Sequence, residues 1–249
     1  MLIRIISLFS SPLRKVVRSF EYSFFDAIDN ISYVSDKKFN HQLFIKRYRK
    51  QPSKGEIGCA LSHATLLTES SCDTTVRWTC VLEDDAMPEI NFELFLKELS
   101  EIETEKPTII ILGYSKTKKS NFLIHKLKYP LYDKYCIGGY QVGKTFATLC
   151  GTVGYVANKA AADLFSDIDE VYWVADDWDM IATLGVDIHH VSTPLIYEDL
   201  DSPSTTGNVV HCANSFFSHP LGNLKIILLN QFKVCMVKAN ALKKLCQRQ

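Results

Sequence analysis

The stretch Cys80-Val81-Leu82-Glu83-Asp84-Asp85-Ala86-Met87-Pro88 decides how the rest of the chain is interpreted. Its apolar first half is typical of a buried strand, and three consecutive carboxylates end that strand before a proline. Adjacent anions repel one another, so their natural uses are divalent-cation binding or catalysis at the carboxyl end of a strand. The alternative is a solvated acidic turn in which Glu83 or Asp84 caps the helix that follows.

The sequence on both sides of this stretch alternates strands and helices. Strands are predicted over residues 2–9, 24–29, 78–82, 107–113, 151–157 and 186–191. Helices are predicted over residues 12–20, 55–68, 91–102 and 159–165. This alternation favours an α/β sheet with both faces covered, in which Asp26, Asp29 and the acidic triplet meet at one carboxyl edge of a parallel sheet. Residues 116–143 show no period and are predicted to form a mobile loop on the acceptor side.

Length and composition indicate a single globular domain. The chain has 249 residues, of which 47% are hydrophobic and 22% are charged, and this excludes a disordered chain. Its 28 Lys and Arg balance 28 Asp and Glu, so the charge predicts no nucleic-acid partner. Residues 224–249 nevertheless hold six cations and no acid, which leaves residues 1–223 at −6. We therefore predict a catalytic domain over 1–223 and a basic apolar extension over 224–249.

The cysteines and the N-terminus predict a cytoplasmic protein. Eight cysteines show no CxxC pair and no Cys and His spacing of a zinc site, so they are interpreted as buried, reduced thiols. The N-terminal apolar run is interrupted by Ser7 and is read as a first strand, not as a signal peptide. No apolar run reaches the roughly 20 residues that span a bilayer.

Carboxylates at a sheet edge suit a nucleotide-sugar site. A diphosphate is itself an anion, so acids beside it require a bridging Mg²⁺ or Mn²⁺, held by one or two carboxylates and by phosphate oxygens. Two other phosphate-binding signatures, GxxxxGK[ST] and GxGxxG after the first strand, are absent from the sequence.

Several segments together resemble glycosyltransferase family 25, which includes bacterial lipooligosaccharide galactosyltransferase-like enzymes. The matching segments, in chain order, are Ile6-Ser7-Leu8, Ser11-Pro12 with Arg14, Phe25-Asp26-Ala27-Ile28, Gly55-Glu56-Ile57-Gly58-Cys59-Ala60-Leu61-Ser62-His63, Val81-Leu82-Glu83-Asp84-Asp85, Gly151-Thr152-Val153-Gly154-Tyr155 and Asp177-Trp178. They occur in the family's order with similar gaps.

The resemblance implies a GT-A-like fold and an inverting, metal-assisted transfer of a hexose, with galactose as the leading choice, from a UDP-sugar to an acceptor hydroxyl. It places Asp85, with Glu83, at a Mn²⁺ or Mg²⁺ ion. The resemblance also implies a group of donor-pocket residues, namely Arg14, Asp26, Ser62, His63 and Asp84. For His63 the alternative is a packed core histidine.

The resemblance further implies that Asp177 is the general base, with Asp176 as its rival. The alternative is that both acids only begin a helix and interact with its dipole. Two other functions stay open at this point. One is a catalytically silent homologue that binds nucleotide or glycan, and the other is a metal-dependent phosphohydrolase that uses the same acidic cluster.

The C-terminal extension combines apolar residues with its six cations. Basic residues near anionic lipid contribute roughly 1 kcal/mol each. We therefore predict peripheral attachment to the cytoplasmic face of the inner membrane, where a lipooligosaccharide or lipopolysaccharide glycan acceptor would be made. The alternative is a helix packed on the domain with its lysines in water.

Overall fold

The structure is a computed structural model that describes residues 1–29, 38–147, 149–200 and 220–246. The strands are β1 (Leu2–Ser7), β2 (Ser23–Asp26), β3 (Trp78–Glu83), β4 (Ala86–Pro88), β5 (Thr108–Ile111), β6 (Tyr132–Ile137), β7 (Tyr140–Lys144), β8 (Gly154–Asn158), β9 (Asp187–Val191) and β10 (Ile196–Glu198). The helices are α1 (His41–Tyr48), α2 (Lys54–Ser71), α3 (Phe92–Ser100), α4 (Phe122–Lys128), α5 (Lys159–Ser166), α6 (Trp178–Thr183) and α7 (Pro220–Cys246). Short 3-10 helices span Pro12–Lys15 and Lys119–Asn121.

A large sheet organises the domain. Its eight strands lie in the order β2-β1-β3-β8-β5-β9-β7-β6, and β4 pairs with β10 beside it. Strands β2, β1 and β3 are parallel to one another, whereas β8 runs antiparallel to both of its neighbours, β3 and β5. The sheet is therefore mixed. The prediction of a parallel sheet holds for β2, β1 and β3, which carry the acidic strand ends, and for the pair β5 and β9, but not for β8, β7 and β6.

Helices cover both faces of the sheet, as predicted. Successive residues of a strand point to opposite faces, so Val81 packs in one core and its neighbour Leu82 in the other. The first core gathers side chains from α2, α5 and α6. The second core is closed by α3, through Phe92, Phe95 and Leu99. The architecture is a single α/β domain and is consistent with a GT-A-like fold.

Helix α2 is fixed at its start and along one face. Ser53 and Glu56 form a capping box, in which each side chain accepts a hydrogen bond from the other residue's backbone N–H. Further along, the Ser62 hydroxyl accepts a bond of 2.8 Å from the Ile28 N–H. The approach is close, since a Cβ at Gly58 would lie 2.5 Å from the Ile28 carbonyl oxygen. Glycine and serine thus hold α2 against the loop after β2.

Two predicted elements after β1 are shorter in the structure. The predicted helix over 12–20 is only the 3-10 turn Pro12–Lys15, because the chain is already extended at Val16 (φ −70°, ψ 120°). Adjacent β-branched residues, Val16 and Val17, disfavour helix continuation there. The second strand ends at Asp26 and does not reach Asp29.

The prediction of a loop over residues 116–143 is wrong. This segment contains α4 and the hairpin of β6 and β7. The hairpin turns at Gly138 and Gly139, whose φ angles of 55° and 77° lie in the left-handed region that glycine adopts without strain. The Gly-Gly pair was a local signal for this turn.

The last described element, α7, begins at Pro220, so the predicted boundary at residue 224 falls inside a helix. It packs on α4, where the Lys128 ammonium donates to Asn223 (2.9 Å) and Asn230 donates to the Lys128 carbonyl (2.8 Å). Within the described ranges, none of the helices is both long enough and apolar enough to cross a membrane.

The cysteines are less buried than predicted. Cys80 is fully buried in the sheet and Cys59 is partly buried. Exposed thiols are found at Cys72, Cys136, Cys150 and Cys235. Cys212 lies outside the described residues.

Candidate functional site

The carboxyl ends of three parallel strands form the site's floor. The strand register places Ser7 of β1 beside Asp26 of β2, and Ile6 of β1 beside Glu83 of β3. Two acids predicted to share an edge, Asp26 and Glu83, therefore do so, with β1 between them.

Glu83 turns toward α2. Its carboxylate accepts a short hydrogen bond from the Thr152 hydroxyl, and one of its oxygens lies 3.7 Å from the Nε2 atom of His63. Burial raises the pKa of the Glu83 carboxyl, but contact with His63 and Thr152 outweighs burial and holds that pKa below its usual value. Glu83 is thus an anion with partners.

Asp84 is held by β1 and by the segment that follows it. The Ser7 hydroxyl donates a 2.6 Å hydrogen bond to the Asp84 carboxylate. The Arg18 guanidinium donates to the Asp84 backbone carbonyl, also at 2.6 Å. These two bonds tie the turn after β3 to the chain after β1.

Asp85 has a different environment. Its Oδ1 atom is buried and has no hydrogen-bond partner among the described residues. Burial, together with the negative charges of Glu83, Glu198 and Asp84, raises the pKa of Asp85 to about 8. A bound cation would stabilise the charged form of a carboxylate in this position.

Glu198 and Asp199 complete the acidic cluster. Neither residue was predicted from the sequence to belong to the site. Pairing of β10 with β4 sets Glu198 opposite Ala86, and the Asp199 N–H donates to the Asp85 carbonyl at 2.9 Å. The short apolar run 194–197 ends in these acids just as β3 ends in the triplet. That repetition was the available signal, but β10 has only three residues and its pairing is long-range.

A groove of about 490 Å³ opens beside this cluster. It lies between the segments that follow β1 and β3, and Asp84, Asp85 and Asp199 stand on its acidic side. Its other lining is mainly apolar and comes from Leu13, Val16, Val17, Phe20, Met87, Ile90 and Phe92. This volume is within the range of small-molecule sites, roughly 300–1,000 Å³.

The other predicted donor-pocket residues have structural partners. Arg14 donates to the Ser7 carbonyl (2.8 Å) and pairs with Asp26, and its guanidinium lies over the Phe24 ring. Neither Arg14 nor Asp26 lines the groove. Ser62 is fully buried, and it donates to the Gly58 carbonyl in addition to accepting from the loop after β2. It positions the backbone near the site.

The two candidate bases differ in how they are engaged. Asp177 is the N-cap of α6, accepts a 2.7 Å bond from the Arg47 Nε–H, and accepts another from the Tyr48 hydroxyl. Burial raises the pKa of Asp177, but the bonds from Arg47 and Tyr48 outweigh it and hold that pKa below its usual value. Asp177 therefore fits the alternative interpretation, in which this acid caps the start of a helix.

Asp176 accepts a 2.9 Å bond from the Gly151 N–H. Burial, helped by the charges of Glu83 and Asp177, raises the pKa of Asp176, and the Gly151 bond only partly offsets this. The adjacent residue to Gly151, Thr152, is the partner of Glu83. Two consecutive residues therefore join Asp176 to the acidic strand end.

The mixed α/β sheet is consistent with a GT-A-like fold, and its carboxylates and groove lie at the carboxyl ends of parallel strands, where open α/β sheets bind ligands. The family model for glycosyltransferase family 25 (LPS biosynthesis protein) matches residues 3–180, and the chain belongs to this family. Membership makes it a glycosyltransferase of lipopolysaccharide biosynthesis, which acts on a sugar donor and a glycan acceptor. A search of curated proteins gave no significant match to the chain.

The engagement of Asp177 predicts a pH-dependent contribution to stability. Asp177→Asn keeps a capping side chain but loses the ionic bond to Arg47, so we expect the free energy of unfolding to fall by about 1–3 kcal/mol at pH 7. The folded pKa lies below the unfolded value of about 3.9, so this contribution is present above that value and is lost as the pH falls through the folded pKa.

Denaturant unfolding at pH 7 and toward pH 3.5 measures the gap between wild type and variant, which should close as the pH falls below about 4. Asp169→Asn, at an exposed acid, is the control and should show no gap at either pH. A gap of constant size across this range would contradict the assignment.

Proposed function

We propose that the chain is a metal-dependent, inverting hexosyltransferase that moves galactose from UDP-galactose to a hydroxyl of a lipooligosaccharide or lipopolysaccharide glycan. The observation that carries the proposal is Asp85, a carboxylate with a buried oxygen that has no hydrogen-bond partner in the described part of the chain. It stands at the carboxyl end of β3, on the side of a groove that suits a nucleotide in size.

The groups near Asp85 fit a hard divalent cation. Asp85, Asp84 and Glu198 offer carboxylate oxygens, the donor type that Mg²⁺ and Mn²⁺ favour. Asp85 is the first candidate ligand, and the negative charges of both Glu83 and Glu198 act on it. The Glu83 carboxylate faces Thr152 and His63, and the Glu198 carboxylate accepts hydrogen bonds from the Ser115 hydroxyl and the Lys116 N–H. When bound, the ion would neutralise the diphosphate of the donor and stabilise the leaving UDP.

The groove offers contacts for the rest of the donor. Its apolar wall, which includes Phe20 and Phe92, suits the flat face of a nucleobase or sugar. Arg18 lines the same groove and carries a positive charge toward an anionic ligand. Binding of the donor would then exclude water from the acidic side of the groove, where negative charge develops on the departing UDP.

For the general base we propose Asp176 in preference to Asp177. An inverting transfer needs a carboxylate that can accept a proton from the acceptor hydroxyl. Asp177 is committed to Arg47, Tyr48 and the start of α6. Asp176 accepts a backbone bond from Gly151 but has no charged partner like Arg47 among the described residues, and burial raises its pKa, which favours proton acceptance.

Asp85→Asn tests the metal site. The change keeps the side chain's size and removes its charge, so metal-dependent UDP affinity should fall at least about tenfold, or 1.4 kcal/mol. Thermal stability should not fall, since the carboxylate is repelled by its neighbours. Calorimetric titration with UDP, with and without Mn²⁺, measures the effect, and Glu105→Gln, at an exposed acid, is the control. Unchanged Mn²⁺-dependent affinity would remove Asp85 from the site.

Asp176→Asn tests the base and the reaction together. Release of UDP from UDP-galactose with Mn²⁺ should exceed that from other UDP-hexoses, and the variant should lower turnover by about 10²–10⁴-fold. UDP affinity should stay nearly unchanged, because the lost function is proton acceptance in the transition state. Asp177→Asn should be less stable but keep turnover within about tenfold. A loss confined to Asp177→Asn would identify that residue as the base, and near-normal turnover in both would exclude the pair.

We also propose that α7 attaches the enzyme to an anionic membrane surface. The helix meets α4 through Asn223 and Asn230, and these two residues and Val234 are buried. Its opposite side exposes an apolar stripe at helical spacing, formed by Leu221, Leu224, Leu228, Leu229, Phe232 and Met236. Lys225 lies within the stripe and Lys233 beside it, so apolar burial and attraction to anionic lipid would act together.

A double substitution on the stripe tests this attachment. Leu228→Ser with Phe232→Ser should abolish co-sedimentation with vesicles containing phosphatidylserine, and wild-type binding should weaken as salt rises toward 1 M, where the Debye length is about 3 Å. Leu43→Ser with Leu94→Ser changes exposed apolar residues elsewhere and should bind as wild type does. A wild-type protein that self-associates through the stripe and ignores vesicles would show that a second copy covers it.

A further inference from the structure

A second set of ligating side chains lies behind the acidic edge, between α2 and β3. Cys59 and His63 are four residues apart, so they project from one face of α2. Along β3, Glu83 follows Val81 on the face that packs against α2. The Cys59 sulfur, a His63 ring nitrogen and a Glu83 oxygen consequently lie within 4.8 Å of one another. The sequence shows no spacing typical of a zinc site, because the third residue, Glu83, comes from a strand and not from α2.

The buried imidazole of His63 points into this group. The side chain is only 6% exposed, and its Nε2 atom has no hydrogen-bond partner in the described ranges. A buried polar atom without a partner costs roughly 1–3 kcal/mol. Glu83 does not satisfy it, because 3.7 Å is too long for a hydrogen bond. The nitrogen is therefore placed for a partner that the protein itself does not provide.

The surroundings of the group resemble the outer shell of a metal site. The second His63 nitrogen, Nδ1, is 3.0 Å from the Tyr155 hydroxyl, a contact that orients the ring with Nε2 toward Glu83. The Thr152 hydroxyl orients the Glu83 carboxylate in the same way. An ion has a path to the group, since the Glu83 side chain is 31% exposed.

We propose that Cys59, His63 and Glu83 bind one Zn²⁺ ion. One sulfur, one nitrogen and one oxygen suit a borderline ion, whereas Mg²⁺ and Mn²⁺ favour oxygen ligands alone. Three protein ligands would leave one tetrahedral position for water. The ion would join α2 to the end of β3, the strand that carries Asp85. This site is distinct from the proposed donor site and does not depend on UDP or on transfer activity.

Cobalt substitution tests the site directly. Wild-type protein freed of metal with a chelator is titrated with Co²⁺, and Co²⁺ bound by a thiolate gives a near-ultraviolet charge-transfer band. We expect a band that saturates at one equivalent and that Zn²⁺ displaces. Cys59→Ser should lose the band, whereas Cys72→Ser, at the exposed thiol that ends the same helix, should keep it. No band in wild type, or an undiminished band in Cys59→Ser, would overturn the proposal.

Two further variants separate this site from unfolding and from the donor site. His63→Gln should weaken Co²⁺ binding at least tenfold, and circular dichroism without metal should show that the variant is folded. Zn²⁺ should raise the melting temperature of wild type and of Cys72→Ser but not of Cys59→Ser. Asp85→Asn should keep the Co²⁺ band, while it loses Mn²⁺-dependent UDP binding if the proposed function is right. Loss of the band in Asp85→Asn would place the ion at the donor site and overturn the proposal.

Discussion

Repulsion between three consecutive carboxylates at the end of β3 is the constraint on which the site depends. Each of the three is accommodated differently. Glu83 meets His63 and Thr152 on the α2 side, and Asp84 accepts a bond from Ser7 of β1. Those partners require β1, α2 and the segment before β8 to converge on one strand end. Asp85 receives no such partner within the described residues, so the unbalanced charge is concentrated at a single position beside the groove.

The segment before β8 links the two halves of the site. Thr152 bonds to Glu83, while the Gly151 N–H donates to Asp176 and its carbonyl accepts from the Trp178 indole. Gly151 has a φ of 116°, and a Cβ there would lie 2.3 Å from the Ser115 nitrogen. Only glycine fits this backbone without strain. The distance between the strand end and the start of α6 is thereby fixed by backbone geometry.

Local signals predicted much of this arrangement. The apolar runs predicted β3 and β5, and the helix predicted over residues 55–68 begins within one residue of the observed start of α2. Periodicity does not encode strand direction, so the antiparallel β8 inside the sheet could not be read from it. The acidic triplet was found because its residues are adjacent in sequence. Glu198 was not found in this way, because it comes near Asp85 only through the pairing of two three-residue strands, β4 and β10.

Substitution of Asp85 and substitution of Gly151 have different consequences in a relative that has lost transfer activity. Replacing Gly151 disturbs the fold whether or not the protein binds a ligand, so stability alone preserves it. Replacing Asp85 with a neutral residue relieves repulsion, and the buried Oδ1 atom has no hydrogen bond to lose among the described residues. Once ligand binding ceases to be selected, mutation would remove this carboxylate early and would meet no opposition from folding. The presence or loss of this carboxylate in a relative would therefore report on ligand binding, whereas the glycine would report only on folding.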